Sequence, residues 1–285
     1  MKLSQTRIAI VVAILVATTS GCGVINRIRA KNQLNEAARA YREGKFEEAE
    51  QHSRQAADYD PGNKTAPMFI ARTIHAQYRP GVQTPDNIAK AQKAIEAYQV
   101  ILQNNPNDEE AYKAIAYLYG AIKEDDKLRQ WISARAANES TDPEKRAEAF
   151  IVLASKDWDC SFKITELPAN KVTTVDTSNN KATVSYKKPK DQKDFDSAQM
   201  CVKQGLAEAE NAIKFDPNNE SAWSYKTNLL LEASKLAEMD GKTDAKAEYQ
   251  KQYDVALKRT TELSAAAQKR KEEEEARQAA SPPKG

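Results

Sequence analysis

Residues 42–63 read REGKFEEAEQHSRQAADYDPGN, and the spacing inside this stretch decides the fold. Gly44 opens it, Phe46, Ala49 and Ala56 follow at helical intervals, and Pro61 closes it. Small residues at such positions let two antiparallel helices approach, an aromatic fills the gap beside them, and a proline cannot extend the helix it follows. The closing recurs at Pro106 in NNPND and at Pro217 in FDPNN. An opening phrase recurs too, a small residue beside a bulkier one: Ala66-Pro67, Ala111-Tyr112, Ala149-Phe150 and Ala222-Trp223. The chain is therefore built from repeated pairs of helices.

These residues resemble the tetratricopeptide repeat, a 34-residue helix-turn-helix unit with a closing proline. Setting Pro61 at the closing position starts the first unit at Ala30 and the second at Lys64, which keeps the register. The gap from Ala66 to Ala111 is 45 residues, and the eleven extra fall near residues 79–89, where RPGVQTPDN is rich in turn formers. The gap from Ala149 to Ala222 is 73 residues, so that unit holds a 39-residue insertion. The resemblance implies an all-α helix-turn-helix solenoid of about five repeats over residues 30–264, the first and fourth degenerate, with a β-hairpin inserted. Tyr98, Ile115, Leu118, Leu153, Tyr249, Tyr253 and Leu257 are expected to pack helix against helix.

Composition agrees with a thin, surface-rich helical chain. Charged residues make up 29% of the 285, and mean hydropathy is -0.74; a stack two helices thick buries less per residue than a globule. Nine glycines, three cysteines and two histidines leave little for a glycine-cradled phosphate site or a histidine-rich metal centre. Lys plus Arg is 43 and Asp plus Glu is 41. Lys2 and Arg7 lie in a leader expected to be removed, so the remainder is balanced and offers nucleic acid no general attraction.

That leader has Lys2 and Arg7, an apolar run over residues 8–17, then Thr18, Thr19, Ser20 and Gly21 before Cys22. The order is that of a signal peptide over residues 1–21. Ten apolar residues span about 15 Å as a helix, about half of a bilayer core. Ser20-Gly21-Cys22 resembles a bacterial lipobox, with Thr19 where that family usually has Leu. The resemblance implies a covalent lipid on Cys22, with residues 22–29 as anchor and short linker; an ordinary secretory peptide cut nearby is the alternative. Gly23 rather than Asp follows the cysteine, which favours the outer membrane of a diderm cell, facing the periplasm. Arg27, Arg29 and Lys31 lie where they would meet acidic headgroups or stand on a solvated stalk.

Between Cys160 and Cys201 the pattern turns to alternation in KVTTVDTSNNKATVSYKK, with β-branched residues on both sides of Ser178-Asn179-Asn180, which predicts a hairpin over about 171–188. A lone hairpin is marginal in water and needs support. With Cys22 lipidated, Cys160 and Cys201 remain to pair as a disulfide worth about 4 kcal/mol in the chain-entropy model. Free buried thiols and a metal pair are the rival readings, the latter without an evident third ligand. Residues 265–285 read as a charged helix end and disordered tail.

In the tetratricopeptide family the fifth, ninth and twelfth positions of each first helix line a groove. Here the resemblance assigns Met68, Arg72 and His75 in repeat two, Lys113 and Tyr117 in repeat three, and Ser224 and Asn228 in repeat five. Family members that clamp a terminal carboxylate carry Lys and Asn at the fifth and ninth positions of repeat one, where this chain has Leu34 and Ala38. His52 and His75 have no HExxH context, and no metal or other cofactor is expected. Glu220-Ser221 resembles the catalytic opening of lytic transglycosylases, but YKTNLLLEASK lacks their glycine-rich continuation. The expectation is a non-enzymatic, lipid-anchored envelope scaffold that binds a protein or peptide. Related lipoproteins include outer-membrane assembly subunits and pilus-secretin pilotins. A cell-wall enzyme or a glycan binder is the alternative.

Overall fold

The computed structural model describes the backbone of residues 3–176 and 181–279, and side chains over 23–175 and 182–277. The side chain of Cys22, the hairpin tip Ser178-Asn179-Asn180 and the tail 280–285 lie outside the described residues. The chain divides into two compact units, residues 1–128 and 129–285.

The first unit contains α1 (Leu3–Arg42), α2 (Phe46–Tyr59), α3 (Ala66–Gln77), α4 (Pro85–Asn104), α5 (Glu109–Ala121) and the start of α6 (Asp125–Ala137). The second holds the rest of α6, then α7 (Pro143–Thr165), β1 (Lys171–Asp176), β2 (Lys181–Tyr186), α8 (Gln192–Phe215), α9 (Glu220–Met239) and α10 (Thr243–Ala279). In chain order the ten described helices fall into five helix-turn-helix pairs, α1/α2 through α9/α10, an all-α solenoid fold with a two-stranded hairpin inserted between α7 and α8.

Turns inside three pairs share one geometry. Gly44 (φ 75°), Lys123 (φ 61°) and Gly241 (φ 68°) follow α1, α5 and α9 in the left-handed region. At each, the residue's own N–H and the next one return to carbonyls of the preceding helix, as in Gly44 to Tyr41 and Lys45 to Ala40. Between pairs, the Asp-Pro and Asn-Pro closings end α2, α4 and α8 at Asp60, Asn105 and Asp216. Two of these turns then supply the cap of the next helix, Asp108 accepting from the Ala111 N–H and Asn219 from that of Ala222. Each such cap contributes about 1 kcal/mol.

The core follows the small-residue stripes. Ala30, Ala56 and Ala66 are fully buried together, with Leu34 and Ala57 packed against them. Tyr98, Ile115, Leu118 and Leu153 are buried as expected, and Tyr249 and Tyr253 are half-buried. Leu257 is not a core residue: it is 41% exposed. The buried line of α10 passes through Ala256 and Leu263, and the residue after Ala256 is turned about 100° away from it.

Helix takes up part of each insertion. The first leaves a short loop before Pro85 and lengthens α4 to 20 residues, against 14 for α2. The second extends α7 past Cys160 and starts α8 nine residues before Cys201, so only residues 166–191 leave the helices. Helical periodicity there persists in Phe195, Ala198 and Val202, buried against Ala233 and Leu236. Residues 23–29, expected as a short linker, are part of α1, with Val24, Ile25 and Ile28 exposed. Among the described residues, no helix is long and apolar enough to cross a membrane.

Candidate functional site

In the first unit, α3 and α5 lie with one face of each adjacent, joined by two cross-helix contacts. Arg72 donates through Nε and Nη2 to the two carboxylate oxygens of Glu110, both at 2.5 Å. One turn on, the rings of His75 and Tyr117 lie 5.7 Å apart, tilted by 33°. Residues 72 and 75 share a stripe of α3, and 110, 113 and 117 share one of α5, so Lys113 stands exposed between the two contacts. Tyr117 is 51% exposed, which leaves much of its ring uncovered.

Tyr98 reaches this layer from α4. Its ring meets that of His75 edge-on at 5.9 Å, and its hydroxyl lies 3.3 Å from His75 Nδ1. Burial, reinforced by the Glu110 charge, pushes the Tyr98 phenol up to about 12. Burial pulls the His75 imidazole below its ordinary value, so the ring is neutral at pH 7. The hydrogen bonds to Glu110 raise Arg72 further, so it remains a cation. The cluster thus offers a fixed bidentate ion pair, a half-exposed phenol backed by a neutral imidazole, and a nearby ammonium. It holds no aligned nucleophile and base. Such a surface can hydrogen-bond and stack against a polar or aromatic segment laid over it.

The remaining sequence-assigned residues are placed differently. Met68 is half-buried and lines a cavity of about 570 Å³ with Pro61, Asn63, Ile101 and Asn105, apart from the ion pair. Ser224 and Asn228 are half-buried on α9 in the second unit. Glu220 is the exposed first residue of α9, directly after its Asn219 cap, which is a helix start. His52 bonds through Nδ1 to Gln33 Oε1 at 2.6 Å. Among the described residues no group of three or more His, Cys, Asp or Glu is placed to hold a metal.

Sequence reasoning missed two features. On the opposite face of α3, Pro67, Ile70 and Ile74 floor a groove of about 580 Å³ between Glu50 and Arg54 of α2 and Lys90, Lys93 and Val100 of α4. The only signal was the insertion that lengthens α4. In the second unit, the Ser224–Asn228 stripe of α9 leads to Lys235, which is buried beneath the hairpin. Lys235 Nζ lies 2.6 Å from Glu232 Oε1 and 2.7 Å from Glu166 Oε1. The buried Glu232 also accepts from Ser161 and Thr165, and Glu166 also accepts from Lys171 and Tyr186. Burial would raise Glu166, but bonds from Lys235 and Lys171 outweigh it and hold the carboxyl at about 2. Phe162 and Tyr186 present ring faces to the ammonium at 5.4 and 5.1 Å. Trp158 extends this aromatic row, 4.9 Å from Phe162 and 6.3 Å from Tyr225.

The hairpin stands on this network. Tyr186 N–H donates to Glu238 Oε1 at 2.9 Å, Lys188 pairs with Asp240, and Asn170 Nδ2 donates to the Ile164 carbonyl. A disulfide between Cys160 and Cys201, with Cα atoms 6.1 Å apart, ties α7 to α8 below it.

No protein-family model matches the chain, and no curated protein does. Among solved structures it is similar to MamA from Desulfovibrio magneticus RS-1, at 14% identity and a TM-score of 0.40, over 84% of this chain and 96% of that one. It is also similar to PilF of Pseudomonas aeruginosa, at 13% identity and 0.36, over 85% and 99%. A third is a tetratricopeptide repeat protein from Parabacteroides merdae ATCC 43184, at 12% identity and 0.34, over 82% and 97%.

Proposed function

We propose that the chain is a scaffold that binds a protein or peptide partner on the α3/α5 face of its first unit, held at the cell envelope by a lipid on Cys22. The observation that carries the binding reading is the preorganised Arg72–Glu110 pair beside the half-exposed Tyr117, with Lys113 between them. Groups already fixed by one another lose little freedom when a partner docks, and tyrosine and arginine supply much of the energy of such contacts. The polar, stacking character of this face suits a folded partner or an extended peptide, and the balanced charge gives no general pull on nucleic acid. The anchor reading rests on the leader: a short apolar run, small residues, then Cys22. Gly23 rather than Asp after the cysteine supports, in a diderm cell, an outer-membrane anchor facing the periplasm.

The binding reading is tested by a photo-crosslinking amino acid at position 117, with one at the exposed Val255 of α10 as control. A discrete adduct from position 117, absent from 255 and lost when Arg72, Lys113 and Tyr98 contacts are cut by Arg72→Ala, Lys113→Ala and Tyr98→Phe, is expected. Equal adducts from both positions would refute it. The anchor is tested separately: labelled palmitate should enter the wild-type chain and not Cys22→Ala.

A further inference from the structure

The first described turns of α1 carry an apolar face that the fold does not cover. Val24, Ile25 and Ile28 are 58%, 51% and 56% exposed, and the first buried residue of the helix among those described is Ala30. At about 100° per residue, the arc of these three side chains is centred almost opposite the line of the buried Ala30 and Ala37. Ala30 meets Ala56 of α2 and Ala66 of α3, so α1 cannot bury both faces against those helices. The margin of the arc is of one sign. Arg27 and Lys31 border it on one side and Arg29 on the other, where Arg29 also lies 5.7 Å over the Tyr59 ring at the end of α2. Residues 22–35 contain no Asp or Glu, and the first acid, Glu36, is engaged by Arg39. Of the acids that end α2, Asp58 and Asp60, neither is ion-paired with these bases among the described residues. Asn32 and Asn35 follow on the same face, so the apolar stretch ends there.

We propose that this face docks on an anionic bilayer, so that α1 lies along the membrane through residues 24–31 instead of standing off it as a stalk. The proposal rests on the Cys22 anchor for its occupant: a lipid there holds Ile25 and Ile28 within two turns of the bilayer, at a local concentration that a free partner does not reach. The side chains agree with that occupant. An aliphatic arc enters the acyl boundary while Arg and Lys on its margins reach up to phosphate, which is how a helix lies in the interface. Three aliphatic side chains bury too little to hold the protein by themselves, so the docked turns set orientation and the anchor sets retention. Past Cys22, α1 continues without a proline to Arg42, so the pose of these turns is passed to the first unit, which carries Arg72, Lys113 and Tyr117.

The test uses the chain without its expected leader, residues 22–285, with the Cys160–Cys201 disulfide intact so that Cys22 is its one free thiol. Cys22 is coupled to a maleimide lipid in vesicles of phosphatidylcholine with a minority of phosphatidylglycerol. Lipid brominated on its acyl chains then quenches a tryptophan introduced by Ile28→Trp or Asn26→Trp, each read against the tethered chain without it, and circular dichroism checks that both variants keep the wild-type helix content. Asn26 is nearer the tether but on the other side of the helix. Docking predicts roughly twofold or more stronger quenching at 28 than at 26, whereas an upright stalk predicts the reverse. Arg27→Glu with Lys31→Glu, or vesicles of phosphatidylcholine alone, should cut that excess by about half or more. Quenching at 26 that equals or exceeds that at 28, or an excess indifferent to charge reversal, would overturn the proposal and leave the face to a protein partner. Because the tether is chemical, a failure of palmitate to enter Cys22 in cells would refute the anchor reading without altering this result.

Discussion

Replacing Lys235 by Met isolates the network under the hairpin. The side chain is 8% exposed, and its ammonium is shared between Glu232, 1% exposed, and Glu166. Met keeps most of the apolar stem, so the packing loss is small. What is lost is the cation, leaving Glu232 buried with only the Ser161 and Thr165 hydroxyls as donors. Removing one member of a buried pair costs about 3–5 kcal/mol. Glu166 contributes less of this, since it keeps Lys171 and Tyr186 and is partly open to water. Trp131, Trp158 and Trp223 all lie in the second unit, so urea titration followed by tryptophan fluorescence reports on that unit alone. The pH dependence supplies a second readout. In the variant, the buried Glu232 carboxylate has no cation beside it, so the loss should be greatest where that carboxylate is ionised and smaller in acid. The wild type behaves oppositely in acid: Glu166, held at about 2, contributes stability above its unfolded value that is lost as pH falls from about 4.5 towards 2. Adding Glu232→Gln to Lys235→Met removes the orphaned charge and should recover more than half of the loss. A single variant within about 1 kcal/mol of wild type and without the new slope, or a double variant no better than the single, would refute the reasoning.

In α8, a Cβ on Gly205 would stand 2.7 Å from Leu229 Cδ2 and 2.9 Å from Asp157 Cβ. Gly205→Ala gains about 1 kcal/mol of helix propensity, but overpacking against an atom fixed to the α7 backbone costs more, so the same fluorescence titration should show a net loss of about 1–2 kcal/mol. His75 faces Tyr98 and Tyr117 beside Arg72, and its depressed value makes the stability it contributes complete above about pH 6.5 and lost as pH falls below that. Melting by circular dichroism at pH 7.5 and 5.5 should show this drop, and His75→Gln should shrink it. Lys123 occupies the left-handed position that Gly44 and Gly241 hold in the matching turns. Lys123→Gly should gain a few tenths of a kcal/mol in the same melts, the relief of strain being partly offset by a freer unfolded chain, while Gly44→Ala should lose about 1 kcal/mol.

What was legible in the sequence was what local chemistry controls. Ala49, Ala56 and Pro61 announce a helix pair because close approach and helix termination are decided within a few residues. Leu257 misled because α10 is apolar on more than one side, and hydropathy does not say which side has a neighbour. The charged contacts were hidden by abundance. With 43 basic and 41 acidic residues, nothing in the chain marks Arg72 and Glu110, 38 apart, or Lys235 and Glu166, 69 apart, as partners. Those choices are made by which helices lie side by side.

The hairpin divides along the same line. Alternation in KVTTVD and KATVSY is enough to pair the strands, because register follows from a period of two. Alternation alone treats both outer edges alike. It is Glu238, from a helix more than fifty residues further on, that occupies the outward Tyr186 N–H, while on the other strand the Pro168 carbonyl accepts from the Lys171 N–H. Lys188–Asp240 and the Glu166–Lys235–Glu232 group fix the same orientation from below. The second unit therefore spends buried charge to hold a two-stranded element in one pose, an arrangement the repeat itself does not need. A structural requirement would be met as well by apolar packing.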